Sequence, residues 1–373
     1  MDREGGTVHL QIKPGLRVVW RSPDSVQIGL DPARGTVLEG LTPSDRDLVE
    51  HLTSSLDEAA LPGPGPQAER ARRLLRLLVD TDVLVANRAG RGVLGRVAQE
   101  APRLAPDAQV WGVAYPDAGD GWELLARRQQ RCVEVRGAGR LGMALVTCLA
   151  AAGVGHVRLA DERRVRVEDV GPAGASLRDV GSWPREAAGC AVGRLRPRSA
   201  EPPTGPPDPR GEPPAADLVV LVRPTVADSL EAVPLLADGV PHLSVVVRER
   251  GLVVGPLVVP GEVACLRCLD LHRTDRDPAW PRVLAQLVTP RAARAAEESV
   301  SAVLGASLAA LQVLAHVDGR IRPPALGATL EVELPDGLAS RRPWPPHPSC
   351  GCFLADGGAA PQRSEVGEAR IGE

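Results

Sequence analysis

Apolar positions recur along the first 90 residues in two rhythms. Short alternating runs at 8–11, 16–21, 26–30 and 36–38 are separated by Pro14-Gly15, Ser22-Pro23-Asp24 and Asp31-Pro32. Period-two alternation bounded by turn residues predicts strands. From Thr42 the period lengthens. Leu48, Val49 and Leu52 fall on one helical face, behind Thr42 as N-cap, Pro43 at the first helical position and Asp45 beside the positive helix end. After a Pro/Gly loop at 61–66, Leu74, Leu75, Leu77 and Leu78 predict a second helix, and 83–85 a closing strand.

Beyond residue 130 the pattern alternates between buried strands and apolar helices. Residues 133–135 lead into Gly137-Ala138-Gly139-Arg140-Leu141-Gly142 and a helix through 152, followed by a strand at 157–160 closed by Asp161. Further apolar strands are expected at 218–222, 243–247 and 329–334. Such alternation predicts an α/β fold with a parallel sheet covered by helices on both faces. The uncharged run 299–317 is long enough to span a bilayer. Ser299, Ser301, Ser307, Gln312 and His316 interrupt it, so a buried core helix is expected and no membrane association. The proline-rich stretch 197–214 reads as a flexible surface loop. The chain is thus divided into a small α+β module at 8–125 of winged-helix-like form, an α/β domain at 130–353, and a polar tail at 354–373 expected to be disordered.

A formal net charge of −3 gives no electrostatic footprint for nucleic acid, and with aromatics at 2% a base-stacking platform is not expected. The charged start, Met1-Asp2-Arg3-Glu4, has no apolar segment of a secretory signal. The seven cysteines are therefore expected in a reducing cytoplasm, where paired motifs point to metal.

Two motifs carry chemistry. Cys265-x-x-Cys268 and Cys350-x-Cys352 each put two thiolates on a tight turn, and four sulfurs with no spare ligand make a closed, structural zinc site. The rival is two unrelated thiol pairs acting as a redox couple. His347 is a possible substitute ligand, while Cys132, Cys148 and Cys190 stand singly in apolar or small-residue settings and are expected to be buried hydrophobes. The second motif is strand, GxGxxG and helix in order. Gly137 opens it, Gly139 lets backbone approach a phosphate at the helix N-terminus, Gly142 permits close helix–strand packing, and Asp161 can hold ribose hydroxyls. Tight packing alone also explains these glycines.

The glycine motif, the run 149–155, Asp161, then the segment 255–270 carrying Cys265 and Cys268, and finally Cys350-x-Cys352, resemble the ThiF/MoeB/ubiquitin-E1 superfamily over roughly 130–353. Within it, the chain looks most similar to the ThiF-like partner proteins of thiazole/oxazole-modified peptide (YcaO cyclodehydratase) biosynthesis. The resemblance implies a Rossmann-like domain, a homodimer, and an N-terminal PqqD-like clasp for a precursor's leader peptide. It also implies ATP and magnesium chemistry on a peptide C-terminus, with Gly137, Gly139, Arg140, Gly142 and Asp161 around the nucleotide.

The chain departs from that pattern at four places. Pro172 stands where the family's arginine falls. No lysine follows Asp179-Val180-Gly181, since Lys13 is the sole lysine, and Arg185 is the one candidate substitute. Arg223-Pro224-Thr225 replaces the magnesium aspartate, with Asp228 the nearest acid, and Arg163 replaces the second acid after Asp161. Losing phosphate clamps and a metal ligand costs orders of magnitude in rate. The expectation is an adenylation-deficient, peptide-binding scaffold for a peptide-modifying enzyme such as a YcaO cyclodehydratase, with no catalytic residue assigned. The alternatives are an active adenylyltransferase acting on a peptide or sulfur-carrier C-terminus, a nicotinamide or flavin protein, and a DNA-binding winged helix.

Overall fold

The computed structural model describes residues 8–57, 65–88, 96–115, 118–195, 214–289 and 296–353. The tail and all but the last residue of the 197–214 stretch lie outside them. The chain forms two compact units, one of 1–222 with 297–323 and one of 223–296 with 324–373.

Unit 1 opens with β1 (Val8–Ile12), β2 (Val18–Ser22), β3 (Ser25–Ile28) and β4 (Thr36–Leu38), followed by α1 (Pro43–Ser54), β5 (Leu56–Asp57), α2 (Pro66–Asp80) and β6 (Leu84–Arg88). Strands β2, β3 and β4 form an antiparallel meander, while β1 pairs antiparallel with both β5 and β6. Thr42 caps α1 in a reciprocal capping box with Asp45, an arrangement that typically contributes about 1 kcal/mol. Val26, Ile28, Val49, Leu52, Leu75 and Leu78 close the core between them. Leu77 departs from the expected helix stripe: it is 46% exposed on α2.

Next come α3 (Arg96–Ala114), α4 (Trp122–Arg128), β7 (Cys132–Arg136), α5 (Arg140–Ala151), β8 (His156–Ala160), α6 (Pro184–Gly193) and β9 (Leu218–Pro224). β7 pairs parallel with β8 and with β9, as the alternation predicts.

The parallel expectation stops there. Unit 2 runs through α7 (Val233–Ala237), β10 (His242–Arg248), β11 (Gly251–Val258), α8 (Leu266–Arg276) and α9 (Trp280–Leu287). The chain then contributes α10 (Ser299–Asp318) to unit 1 before β12 (Ala328–Glu333) and β13 (Ala339–Pro343). β10, β11, β12 and β13 form a wholly antiparallel ladder. The sheet content is therefore mixed. The reason is local: only Glu249 and Arg250 separate β10 from β11, too few residues for a parallel crossover. β11 is buried along its whole length, so it shows no alternation to mark it in the sequence.

Among the described residues α10 alone is long and apolar enough to cross a membrane. It packs along α5 with the small residues Ala302, Gly305, Ala306, Ala309 and Ala310 turned inward. At its end Asp318 makes a fully buried, two-pronged ion pair with Arg128 of α4, Nε to Oδ1 at 2.8 Å and a terminal nitrogen to Oδ2 at 2.6 Å. Breaking such a pair typically costs about 3–5 kcal/mol. Burial, then the charge of Asp318, pushes the Tyr115 phenol up to about 12.

Candidate functional site

The glycine motif lies between the end of β7 and the start of α5. Gly139 is the N-cap of α5, which has no side-chain cap of its own. A helix start of this kind leaves amides pointing outward with partial positive charge, a natural anion cradle. Gly142 is there for packing, since a Cβ would collide with the Gly137 carbonyl oxygen.

The cradle is filled from within the chain. Leu141 N–H donates to Glu297 Oε2 at 2.8 Å, and a Cβ on Gly139 would collide with the same carboxylate. Arg140 donates to the Glu297 carbonyl at 2.8 Å and to Ser299 Oγ at 3.2 Å. The adjacent Glu298 caps α10, accepting from Val300 and Ser301 N–H. Two consecutive glutamates thus cap two different helices. Burial pushes the Glu297 carboxyl up, against the Leu141 amide and the charges of Arg163 and Arg140, which pull it down.

Asp161 is also engaged. Its Oδ2 accepts from Ala138 N–H at 2.8 Å and its Oδ1 from Arg163 N–H at 2.9 Å. The Arg163 guanidinium lies 3.2 Å from Asp161 and grips Asp169 with two nitrogens. Burial opposes the Arg163 charge, but hydrogen bonds and charge from Asp169, with Asp161 and Glu297 behind, raise its pKa overall.

The other expected substitutes are committed too. Arg185 lies over the Trp183 ring at 5.6 Å, and Asp179 accepts from Ser176 N–H and Oγ, bonds that hold its carboxyl below the usual range. In unit 2, Arg223 pairs with Glu231 through Nε at 2.6 Å, and Asp228 accepts from Leu230 N–H. Sequence reasoning missed Glu297. Its signal was Glu297-Glu298 directly before the uncharged run 299–317.

The four cysteines of the paired motifs come together in unit 2. Cys265 is the N-cap of α8, Cys268 lies in its first turn, and Cys350 and Cys352 follow β13. Sγ separations are 3.9 Å for Cys265–Cys268, 3.6 Å for Cys265–Cys350 and 3.5 Å for Cys268–Cys352. Metal–sulfur bonds of about 2.3 Å in a tetrahedron put sulfurs roughly 3.8 Å apart, so the donor set fits a metal ion. Hydrogen bonding from Cys265, with backbone N–H donors behind it, pulls the Cys268 thiol down, and the same contact pushes the Cys265 thiol up. His347 is not a ligand in this arrangement: Nε2 lies 2.9 Å from Asp275 Oδ2, and Nδ1 accepts from Ser349 N–H. Of the single cysteines, Cys132 is buried and Cys148 half-buried. Cys190 is exposed on α6, where its small neighbours leave it uncovered.

The fold now has known counterparts. E. coli MccB solved with succinimide superposes with a TM-score of 0.64 at 15% identity, covering 93% of this chain and 100% of that one. MccB with AMPCPP and MccA gives 0.63 at 15%, covering 92% and 99%. PaaA gives 0.63 at 16%, covering 88% and 98%. The chain has the E1-like fold. This E1-like chain matches no family model. No curated protein matches it either.

A third feature is a groove of about 410 Å³ in unit 1 between β4 and α2, floored by Leu38 and Leu74 and edged by Val37, Leu77, Arg70 and Arg73. β4 pairs on one side only, with β3, among the described residues.

Proposed function

We propose that this chain is an adenylation-deficient E1-like protein that binds a precursor peptide and serves as scaffold for a separate peptide-modifying enzyme. The observation that carries the reading is the self-filled cradle. Glu297 takes the amide that a phosphate would use, and Arg163 and Ala138 take the Asp161 oxygens that ribose hydroxyls would use. Peptide binding draws on MccB, which was solved with the MccA peptide. The β4–α2 groove suits it: an extended peptide can add to the open edge of β4 and set alternate side chains against Val37, Leu74 and Leu77. Residues 8–125 would then be the leader clasp of winged-helix type, residues 130–353 the E1-like platform, and the partner a YcaO-type cyclodehydratase.

The four thiolates would hold a structural zinc, closing the segment after β13 onto α8. This requires a reducing cytoplasm. A homodimer fits α10, where Val300, Leu304 and Leu311 share one exposed stripe.

A second reading, an active adenylyltransferase, is favoured by the intact α5 N-terminus and by MccB having been solved with AMPCPP. ATP–pyrophosphate exchange with peptides selected from a displayed random library separates the two. The proposal expects peptide binding that is lost with Val37→Asp and no exchange. Exchange abolished by Gly139→Trp would overturn it.

A further inference from the structure

Unit 2 carries a half-open pocket of about 500 Å³ against the β10–β12 face, under α8 and α9, whose polar wall includes Arg248, Arg273, Arg276, Arg342, Trp280 and Trp344. Both indoles are fixed: Trp344 Nε1–H donates to Thr329 Oγ1 at 3.0 Å and Trp280 Nε1–H to Asp270 Oδ1 at 3.2 Å. Three of the arginines lie against these rings. Arg342 lies 4.4 Å, Arg276 5.5 Å and Arg273 6.0 Å from the Trp344 centroid, and Arg273 lies 5.0 Å from that of Trp280.

Three of the nearby carboxylates accept hydrogen bonds of their own. Asp270 takes Trp280 and Arg273, Asp277 takes Ala279 N–H at 3.0 Å, and Glu331 takes the Thr329 hydroxyl at 3.0 Å. Glu249 is exposed at the rim. Among the described residues Arg273 has a carboxylate partner, Asp270 at 3.3 Å, while Arg248, Arg276 and Arg342 form no ion pair. Burial lowers the Arg273 pKa, Asp270 and Glu331 oppose this and the charge of Arg248 adds to it; in the lining, four arginines stand against the three carboxylates Glu249, Asp277 and Glu331. Guanidinium forks held on aromatic faces keep their N–H edges free for an oxyanion.

We propose that this pocket binds the carboxylate of an acidic peptide residue, with an apolar neighbour of that residue against Val246, Leu266 and Leu269. The charge assignment stands on the pocket, and only the ligand's being peptide rests on the function proposed above. The full chain is titrated with N-acetyl-aspartate N-methylamide, its asparagine counterpart and inorganic phosphate, following the indole N–H resonances of Trp280 and Trp344. The aspartate probe is expected to shift both resonances, and the asparagine probe to bind at least tenfold more weakly. Arg248→Gln and Arg342→Gln should each weaken the aspartate probe roughly tenfold, the scale of one charge-assisted hydrogen bond. Arg342→Lys, which keeps the charge without the fork, should retain part of the affinity. Equal binding of the two amides, phosphate binding tighter than aspartate, or no indole shift would overturn the proposal. Aspartate binding here in a chain that captures no peptide at the β4–α2 groove would keep the pocket and sink the peptide reading.

Discussion

The cysteine cluster of unit 2 and the glycine cradle of unit 1 are built on the same local device, a helix start preceded by a tight turn, with Cys265 capping α8 and Gly139 capping α5. They differ in what the chain has done with the groups presented there. The four thiols face one another at 3.5–3.9 Å, with no opposing side chain among the described residues to neutralise them. At the cradle the Leu141 amide is met by Glu297, and Asp161 by the Ala138 amide and by Arg163, all within the same unit. A site that keeps its donors uncommitted can still take its ligand, whereas a site whose charges have been paired internally must first break those pairs.

The most severe test of that contrast is metal removal. Structural zinc in small thiolate sites supplies on the order of 10–16 kcal/mol of apparent binding free energy. Chelation or Cys268→Ser is therefore expected to abolish metal binding and unfold the region around Val263, Leu269 and Trp344, which packs on the cluster. Thermal melting with metal content measured in parallel reads this out. A melt indifferent to chelation, in protein that contains no metal as purified, would put the two sites on the same footing.

How much of each site the sequence revealed follows from the distance between its parts. Cys265-x-x-Cys268 and Cys350-x-Cys352 declare their chemistry within four residues each, and strand–glycine–helix order placed β7 and α5 within a residue or two. The cradle's occupant is 156 positions from the amide it fills, and no periodicity links Glu297 to Leu141. The β10–β11 hairpin was hidden for a different reason. Both strands are buried apolar runs, and only the two-residue turn distinguishes an antiparallel return from a parallel crossover. Leu77 looked like core because its spacing matched Leu74 and Leu78; the fold turns it to the groove beside Val37.

A smaller effect is expected at the cradle itself. Glu297→Ala leaves the Leu141 amide without its carboxylate, which typically costs about 1–3 kcal/mol. It also uncovers the α5 N-terminus. Titration calorimetry with inorganic pyrophosphate should detect binding in this variant and none in the unmodified chain. Pyrophosphate binding of equal strength in both would mean that Glu297 does not compete for the site, and the contrast between a committed and an uncommitted site would lose its basis.

The subtlest expectation concerns pH, and it sets the two adjacent glutamates against each other. Burial raises the Glu297 carboxyl above the ordinary glutamate value near 4.5, so the folded chain holds that proton more tightly than the unfolded one. Its contribution to stability is fully present below the unfolded value and is lost as pH rises through the folded one. Glu298 runs the other way. The Val300 and Ser301 amides lower its pKa, so its contribution is present above the ordinary value and lost as pH falls through the folded one. Denaturant unfolding followed across pH about 3 to 7 should therefore differ between the unmodified chain and Glu297→Gln. Above about pH 4.5 the unmodified chain should lose stability with rising pH relative to the variant, which carries no titrating group at that position. Parallel curves over the whole range would mean that the carboxyl is solvated like an ordinary surface glutamate, and that the α5 N-terminus stands as open as the thiol cluster.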